Sequence, residues 1–290
     1  MQSLFSRRTI VVGGILICLA LILFFVFHKN SPPIVPPAQS VVITYPIHSV
    51  IGHSVQGRTI DAYRYGDGEK VLAFVGGIHG GYEWNSVVLA YQVMDYLQAN
   101  PNIIPKNITV IVIPSANPDA VYKVVGKEGP FTSADVPAGT HTDARLNADN
   151  VDLNRNFACK WQAQSMWQNK TESAGSSAFS EPEARTIENF VLEQRPVATV
   201  FWHSQSGNVY ASQCENGILP GTLDLMNVYA QGSGYPAMKT FDAYATTGGA
   251  DDWMATQGLS AVTVELTTHT DVEFDKNLAG IKAMFDYYGK

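Results

Sequence analysis

The sequence predicts an α/β fold, with a mixed, mostly parallel central sheet and helices on both faces. Two observations lead there. Largely apolar runs at Val71–Val75, Ile108–Ile113, Val197–Trp202 and Ala261–Val264 have the length of buried strands. Among them, apolar side chains recur at helical spacing, first at Val87, Tyr91, Met94 and Leu97, then at Ile187, Phe190 and Val191. A last helix is marked by Phe274, Leu278, Ile281, Phe285 and Tyr288. Strands that alternate with helices need a sheet covered on both sides.

The elements follow in order. Ile51 to Tyr65 alternates apolar and polar residues around Gln56-Gly57, which predicts an opening hairpin closed by Gly66-Asp67-Gly68. The strand at Val71–Val75 stops at Gly76-Gly77, and the second buried strand stops at Pro114. Asn117-Pro118-Asp119 reads as a turn. The polar, glycine-containing stretch 124–150 reads as a long surface excursion. Ser180-Glu181-Pro182-Glu183 has the form of a capping box with proline in the first turn.

A different kind of segment precedes this domain. Residues 9–27 carry no charge and are almost wholly apolar. As a helix they would span about 28 Å, close to the hydrocarbon thickness of a bilayer. Arg7 and Arg8 precede the run, and bulky Phe24-Phe25-Val26-Phe27 ends it without a small-residue cleavage site. The expectation is an uncleaved transmembrane anchor at 9–27, a cytoplasmic N-terminus at 1–8, and a catalytic domain at 46–290 outside the cytoplasm. A cleaved secretory signal is the rival. Residues 28–45, with Pro32, Pro33, Pro36 and Pro37, read as a semi-rigid linker.

Net charge is −7 over 290 residues, and Arg7, Arg8 and Lys29 sit among the first thirty with no acid. The acidic excess therefore lies in the domain, which argues against a nucleic-acid partner. Cys159 and Cys214 would meet an oxidising compartment, where a disulfide between them could persist; two buried thiols are the alternative.

Chemistry gathers at the strand ends. His79 and Glu83 follow the first central strand within a glycine-rich turn, His203 ends the run at Val197–Trp202, and Glu265 ends the run at Ala261–Val264. If these strands are parallel neighbours, their carboxyl ends share one crevice. Two imidazoles and one carboxylate form the ligand set of a catalytic zinc with an open position.

In these motifs the sequence resembles the zinc metallocarboxypeptidases of the carboxypeptidase A and B type, especially compact bacterial members, from about Ser49 to the end. Ile78-His79 with Glu83-Trp84 resembles the first two ligands of a single Zn2+, although three residues separate His79 from Glu83 where the family has two. Gly80 and Gly81 are suited to absorb the extra residue. Trp202-His203-Ser204 resembles the third ligand.

Other residues follow by the same resemblance. Asn154 and Arg155, in Asn154-Arg155-Asn156-Phe157, would grip the substrate's terminal carboxylate. Arg145 would stabilise the oxyanion. The stretch from Tyr244 to Trp253 matches the loop that closes over the substrate, with Tyr244 as its mobile tyrosine and Asp251 at the base of the specificity pocket. An acid at that place goes with C-terminal Lys or Arg. Thr263-Val264-Glu265-Leu266 would carry the catalytic glutamate, general base toward zinc-bound water. His28, His48, His53, His141 and His269 match no motif and read as structural or surface residues.

The implied function is a zinc carboxypeptidase acting on peptides with a free C-terminal carboxylate and a basic last residue. A variant is a peptidoglycan amidase that releases meso-diaminopimelate from γ-D-glutamyl peptides, a muropeptide substrate with the same carboxylate and distal ammonium. A deacylase of the aspartoacylase type fits the Tyr244 loop less well. A non-catalytic peptide-binding module on the same scaffold would be expected to lack a ligand or the general base.

Overall fold

Val, Ile and aromatic side chains suit a pleated surface buried on both sides, and the four apolar runs form the centre of one sheet. A computed structural model describes Leu21, Phe24 and residues 45–290. The sheet contains β1 (Ile47–His53), β2 (Thr59–Tyr65), β3 (Lys70–Val75), β4 (Ile108–Ile113), β7 (Ala198–Ser204), β8 (Val209–Ala211), β9 (Ala237–Met238) and β10 (Ala261–Leu266). Its order is β1-β2-β4-β3-β7-β10-β8-β9. The central β4, β3, β7 and β10 run parallel, and β1, β2 and β8 join antiparallel. A separate hairpin pairs β5 (Gln164–Trp167) with β6 (Lys170–Ser173).

Successive strand residues point to opposite faces, and the core divides accordingly. On one face Leu72, Phe74, Val110, Val112, Val200, Trp202, Val262 and Val264 pack with α1 (Trp84–Ala99), α4 (Pro220–Ser233) and α6 (Phe274–Tyr288). On the other, Ala73, Val75, Ile111, Ile113 and Phe201 pack with α3 (Pro182–Gln194) and α5 (Ala250–Thr256). The predicted two-sided cover is present.

Some local expectations change. Asn117-Pro118-Asp119 is not a free turn. It opens α2 (Pro118–Val125), because the Asn117 side chain accepts from Ala120 N and Pro118 occupies the first turn. The capping box at Ser180 does not form. Glu181 is the cap residue without a side-chain cap, and Glu183 turns away to accept from Val55 N at 3.0 Å and Asn147 Nδ2 at 3.2 Å. The strands β8 and β9, the β5–β6 hairpin, α4 and α5 were not anticipated.

Among the described residues no helix is long and apolar enough to cross a membrane. The expected anchor at 9–27 lies outside the described residues except for Leu21 and Phe24, as do segment 1–8 and most of linker 28–45.

Cys159 and Cys214 are joined by a disulfide with Cα atoms 6.0 Å apart and a sequence separation of 55. It ties the segment after Arg155 to the segment after β8. Closing a loop of that length is worth about 4 kcal/mol by chain entropy. The double variant Cys159→Ser/Cys214→Ser should therefore lose roughly 2–4 kcal/mol of stability, read from the denaturant midpoint.

Candidate active site

The site begins where β3 ends. Gly76 N donates to Ile113 O at 2.9 Å, and the chain then leaves the sheet. A 3-10 turn at Gly80–Glu83 follows, with His79 before it and Glu83 at its end, directly before α1. Gly80 adopts φ +50°, in the left-handed region that favours glycine, and a Cβ there would fall 2.2 Å from Ala120 Cβ. At Gly81 it would fall 2.4 Å from Val124 Cγ2. The glycine pair lets the turn press onto α2.

His203 and Glu265 arrive by strand register. They are paired residues on parallel β7 and β10, so their side chains leave the same face of the sheet. Glu83 lies between the imidazoles. Its Oε1 is 2.8 Å from His79 Nδ1, its Oε2 is 3.0 Å from His203 Nδ1, and the two Nδ1 atoms are 3.1 Å apart. All three residues are buried and offer ligand atoms within 4.8 Å of one another.

The electrostatics call for a cation. Burial opposes ionisation of Glu83, yet His79 and His203 override it and hold its carboxyl well below the usual carboxylate range. Burial likewise opposes protonation of His203, and Glu83 reverses this and raises it. A divalent ion between these groups would meet the Glu83 charge and take the imidazole nitrogens as ligands. The donors are the nitrogen and oxygen atoms that zinc accepts.

A second layer supports this trio. Asp152 Oδ1 lies 3.3 Å from His79 Nε2, slightly off the hydrogen-bond direction, and Oδ2 accepts from Arg145 Nη2 at 2.8 Å. A carboxylate behind a ligating imidazole fixes its orientation. Burial works against the Asp152 charge, and Arg145 and Arg155 hold it ionised. Arg145 itself is buried, with Glu172 Oε2 3.4 Å from Nε and the Trp167 ring 4.6 Å from its Cζ.

A cavity of about 350 Å³ opens over the trio. Arg145, Asn154, Arg155, Tyr244, Asp251 and Glu265 all line it. Asn154 Oδ1 accepts from Ala250 N at 2.9 Å, which fastens its turn to the start of α5. Arg155 is held by the carbonyls of Asn154 (2.8 Å) and Met166 (3.1 Å). Asp251 Oδ2 accepts from Thr263 Oγ1 at 3.0 Å. Tyr244 packs edge-on against Phe241, with centroids 4.9 Å apart.

Glu265 Oε2 is shut off from solvent and has no hydrogen-bond partner among the described residues. Burial, with the Glu83 charge adding to it, lifts its carboxyl to about 7. It is thus a poised proton acceptor.

Four residues of this surroundings were missed. Asp152 stands two residues before the Asn154–Arg155 pair, and no pattern in the sequence marks it. Asp252, next to Asp251 in the sequence, lines the cavity as well, and its Oδ1 accepts from Gln213 N at 2.8 Å. Tyr82 and His269 complete the set. His269 is not a surface residue: it lines the cavity, with Nε2 2.8 Å from Tyr82 OH and Nδ1 2.7 Å from Ser204 Oγ. It follows no periodic pattern, so only its distance past Glu265 hinted at the site. His48, by contrast, pairs with Asp61 at 2.8 Å, and His141 with Pro137 O at 2.8 Å.

Two outcomes test this geometry. Asp152→Asn should weaken Zn2+ binding by about 10–100-fold in a competition titration, because the imidazole loses its orienting charge. The second concerns pH. Loss of hydration, with Asp251 adding to it, pushes the Asp252 carboxyl up to about 8. A group raised on folding contributes stability below its unfolded pKa and loses it as pH rises toward the folded value. Asp252→Asn should therefore gain stability relative to the parent as pH rises from about 4 to about 8, measured by denaturant midpoints.

Comparison with known proteins agrees with the site. A family model described as zinc carboxypeptidase matches residues 39–282. The γ-D-glutamyl-L-diamino acid endopeptidase 1 of Lysinibacillus sphaericus is 24% identical over 227 residues, covering 70% of this chain and 56% of that protein. Human carboxypeptidase Z is 33% identical over 122 residues, 37% of this chain and 17% of that protein. The chain thus spans little more than half, or less, of these relatives. In fold it is similar to the carboxypeptidase A of Helicoverpa armigera, with TM-score 0.63, 23% identity, and 85% of this chain and 68% of that one covered. It is also similar to the murein-tripeptide amidase of Escherichia coli O157, with TM-score 0.61, 20% identity, and 86% and 95% covered. Zinc is the metal of this family, His79, Glu83 and His203 are the residues fitted to hold it, and the chain belongs to the zinc carboxypeptidase family.

Proposed function

We propose that this chain is a zinc-dependent carboxypeptidase that hydrolyses the bond before a C-terminal residue bearing a cationic end. The observation that carries the reading is that a single cavity is lined by the metal trio, a partnerless Glu265 carboxylate, the Asn154–Arg155 pair and the Asp251–Asp252 pair. Arg155 and Asn154 hold the terminal carboxylate, since a guanidinium fork matches it in bidentate geometry. Asp251 pairs with the ammonium or guanidinium of the last side chain. Zinc, when bound, polarises the scissile carbonyl and lowers the pKa of water.

The rest is work for the side chains. Glu265, which lines the cavity, takes a proton from the attacking water on its carboxylate and returns it to the departing amine. Arg145 stabilises the oxyanion from a buried position, where a charge acts in a low dielectric. Tyr244 closes over the substrate and excludes water.

A second reading keeps this chemistry and changes the substrate to a muropeptide, with diaminopimelate as the released residue. It is supported by the likeness to a γ-D-glutamyl-L-diamino acid endopeptidase and to a murein-tripeptide amidase. Both substrates carry a carboxylate for Arg155 and an ammonium for Asp251. We infer further that residues 9–27 anchor the domain outside the cytoplasm, which is consistent with the Cys159–Cys214 disulfide.

Glu265→Gln should lower kcat by about 10²–10⁴-fold while the zinc content stays at the parent's level. Asp251→Asn should lower kcat/KM for a Lys-ended peptide by roughly 30-fold or more and leave a Leu-ended peptide unaffected. Parallel assay of a Lys-ended peptide and a diaminopimelate-ended muropeptide separates the two substrates. A zinc-loaded chain that hydrolyses neither would overturn both readings and favour a binding module.

A further inference from the structure

Asp251 and Asp252 sit in the first turn of α5, and two irregular segments hold that turn. Residues 156–163 and 212–219 contain no helix, and no strand beyond an isolated bridge of Cys214 with Gly217. The first segment runs on from Asn154 and Arg155 and grips the chain where it enters α5. Phe157 N donates to Gly248 O at 3.0 Å, and Gly248 N donates to Cys159 O at 2.7 Å. Ala250 N donates to Asn154 Oδ1 at 2.9 Å. The approach is so close that Gly248, at φ +70°, has no room for a Cβ, which would fall 2.1 Å from Arg155 O. The second segment holds an acid directly. Gln213 N donates to Asp252 Oδ1 at 2.8 Å, the one hydrogen bond of that carboxyl among the described residues.

The Cys159–Cys214 disulfide joins these two grips. Cys159 itself accepts from Gly248, and Cys214 directly follows Gln213, so a hydrogen bond to the α5 entry stands beside each end of the crosslink. A ring results: from Asp252 to Gln213, across the disulfide to Cys159, and through Gly248 back to α5. Both cysteines are buried in the core that also packs Phe157, Ala250 and Trp253. The charges follow the same frame. Burial and the neighbouring Asp251 oppose the Asp252 charge, whereas the Gln213 N–H, Lys160 and Arg155 favour it. Each favouring group lies on a crosslinked segment or directly before one. The metal trio stands apart: His79, Glu83 and His203 come from the turn before α1 and from β7, and none of the bonds in the ring reaches them.

We propose that the Cys159–Cys214 disulfide determines specificity as a positioning crosslink: it fixes the distance between Arg155 and the Asp251–Asp252 pair, and with it the length of the terminal side chain that the cavity accepts. This rests on the function proposed above, in which Arg155 takes the terminal carboxylate and the acid pair takes the cationic end. A residue held at both ends is measured by the gap between its two partners. An ammonium that falls short leaves itself and an acid desolvated and unpaired, and one that is too long must bend. Hydrogen bonds alone would let the two segments drift, whereas a covalent ring holds one spacing before any substrate arrives.

The test uses zinc-loaded protein and acyl dipeptides ending in diaminobutyrate, ornithine, lysine or homolysine, which differ only in the length of the last side chain. The parent should favour one length by about 10-fold in kcat/KM over its neighbours, and Cys159→Ser/Cys214→Ser should flatten that profile through KM, with kcat and zinc content kept. Cys159→Val/Cys214→Ala keeps the buried site apolar and carries the same test where the serine pair does not fold. A parent indifferent to length, a crosslink-free variant with the parent's profile, or one whose kcat falls equally for every peptide would each overturn the proposal. If the parent cleaves none of the series, the proposed function fails. Calorimetric binding of the four free amino acids then decides the crosslink by itself: a single favoured length, lost in the variant, supports it, and any other result overturns it.

Discussion

Much of this molecule is arranged around one buried carboxylate. Glu83 is out of water, and an ionised group moved there costs several kcal/mol unless opposite charge surrounds it. His79 and His203 flank it within 3.0 Å. The cation that completes the group explains why imidazoles stand on two different segments of the sheet's edge. The need then propagates outward. Asp152 orients His79, Arg145 compensates Asp152, and Glu172 and the Trp167 face receive Arg145. Each layer neutralises the one inside it. This is also why the hairpin β5–β6, far from the metal residues in sequence, belongs to the site.

The parallel sheet delivers these groups. A one-residue slip of β10 against β7 would turn Glu265 to the opposite face and leave His203 beside an apolar side chain. The register is secured by Val262 and Val264 on one face and Ala261 on the other, each packed into a separate core. Packing thus fixes the chemistry: the same alternation that fills two cores aims one acid into the cavity.

How much of this was legible depends on range. The four central strands were visible because burial on both faces demands continuous apolar runs, and the glycine pair at Gly80-Gly81 announced a tight turn. His203 and Glu265 stood out because they interrupt such runs at their ends. Contacts between distant segments were not legible. Ser180 and Glu183 have the spacing of a capping box, but Val55 and Asn147 draw Glu183 away. Asn117-Pro118 signals a turn as readily as a helix start, and only the Asn117 cap decides it. β9 pairs through two residues at the sheet's edge and leaves no pattern. His269 sits in a loop, where no periodicity separates an inward imidazole from an outward one; its role depends on Ser204 and Tyr82, 65 and 187 residues away.

The central claim is that His79, Glu83 and His203 together bind zinc. X-ray absorption at the zinc edge of the loaded protein addresses it most directly. The zinc-loaded protein should show a first shell of two imidazoles at about 2.0–2.1 Å with carboxylate and water oxygens at similar distance, reduced to one imidazole in His203→Ala. A shell with sulfur, with no imidazole, or unchanged by His203→Ala would contradict it.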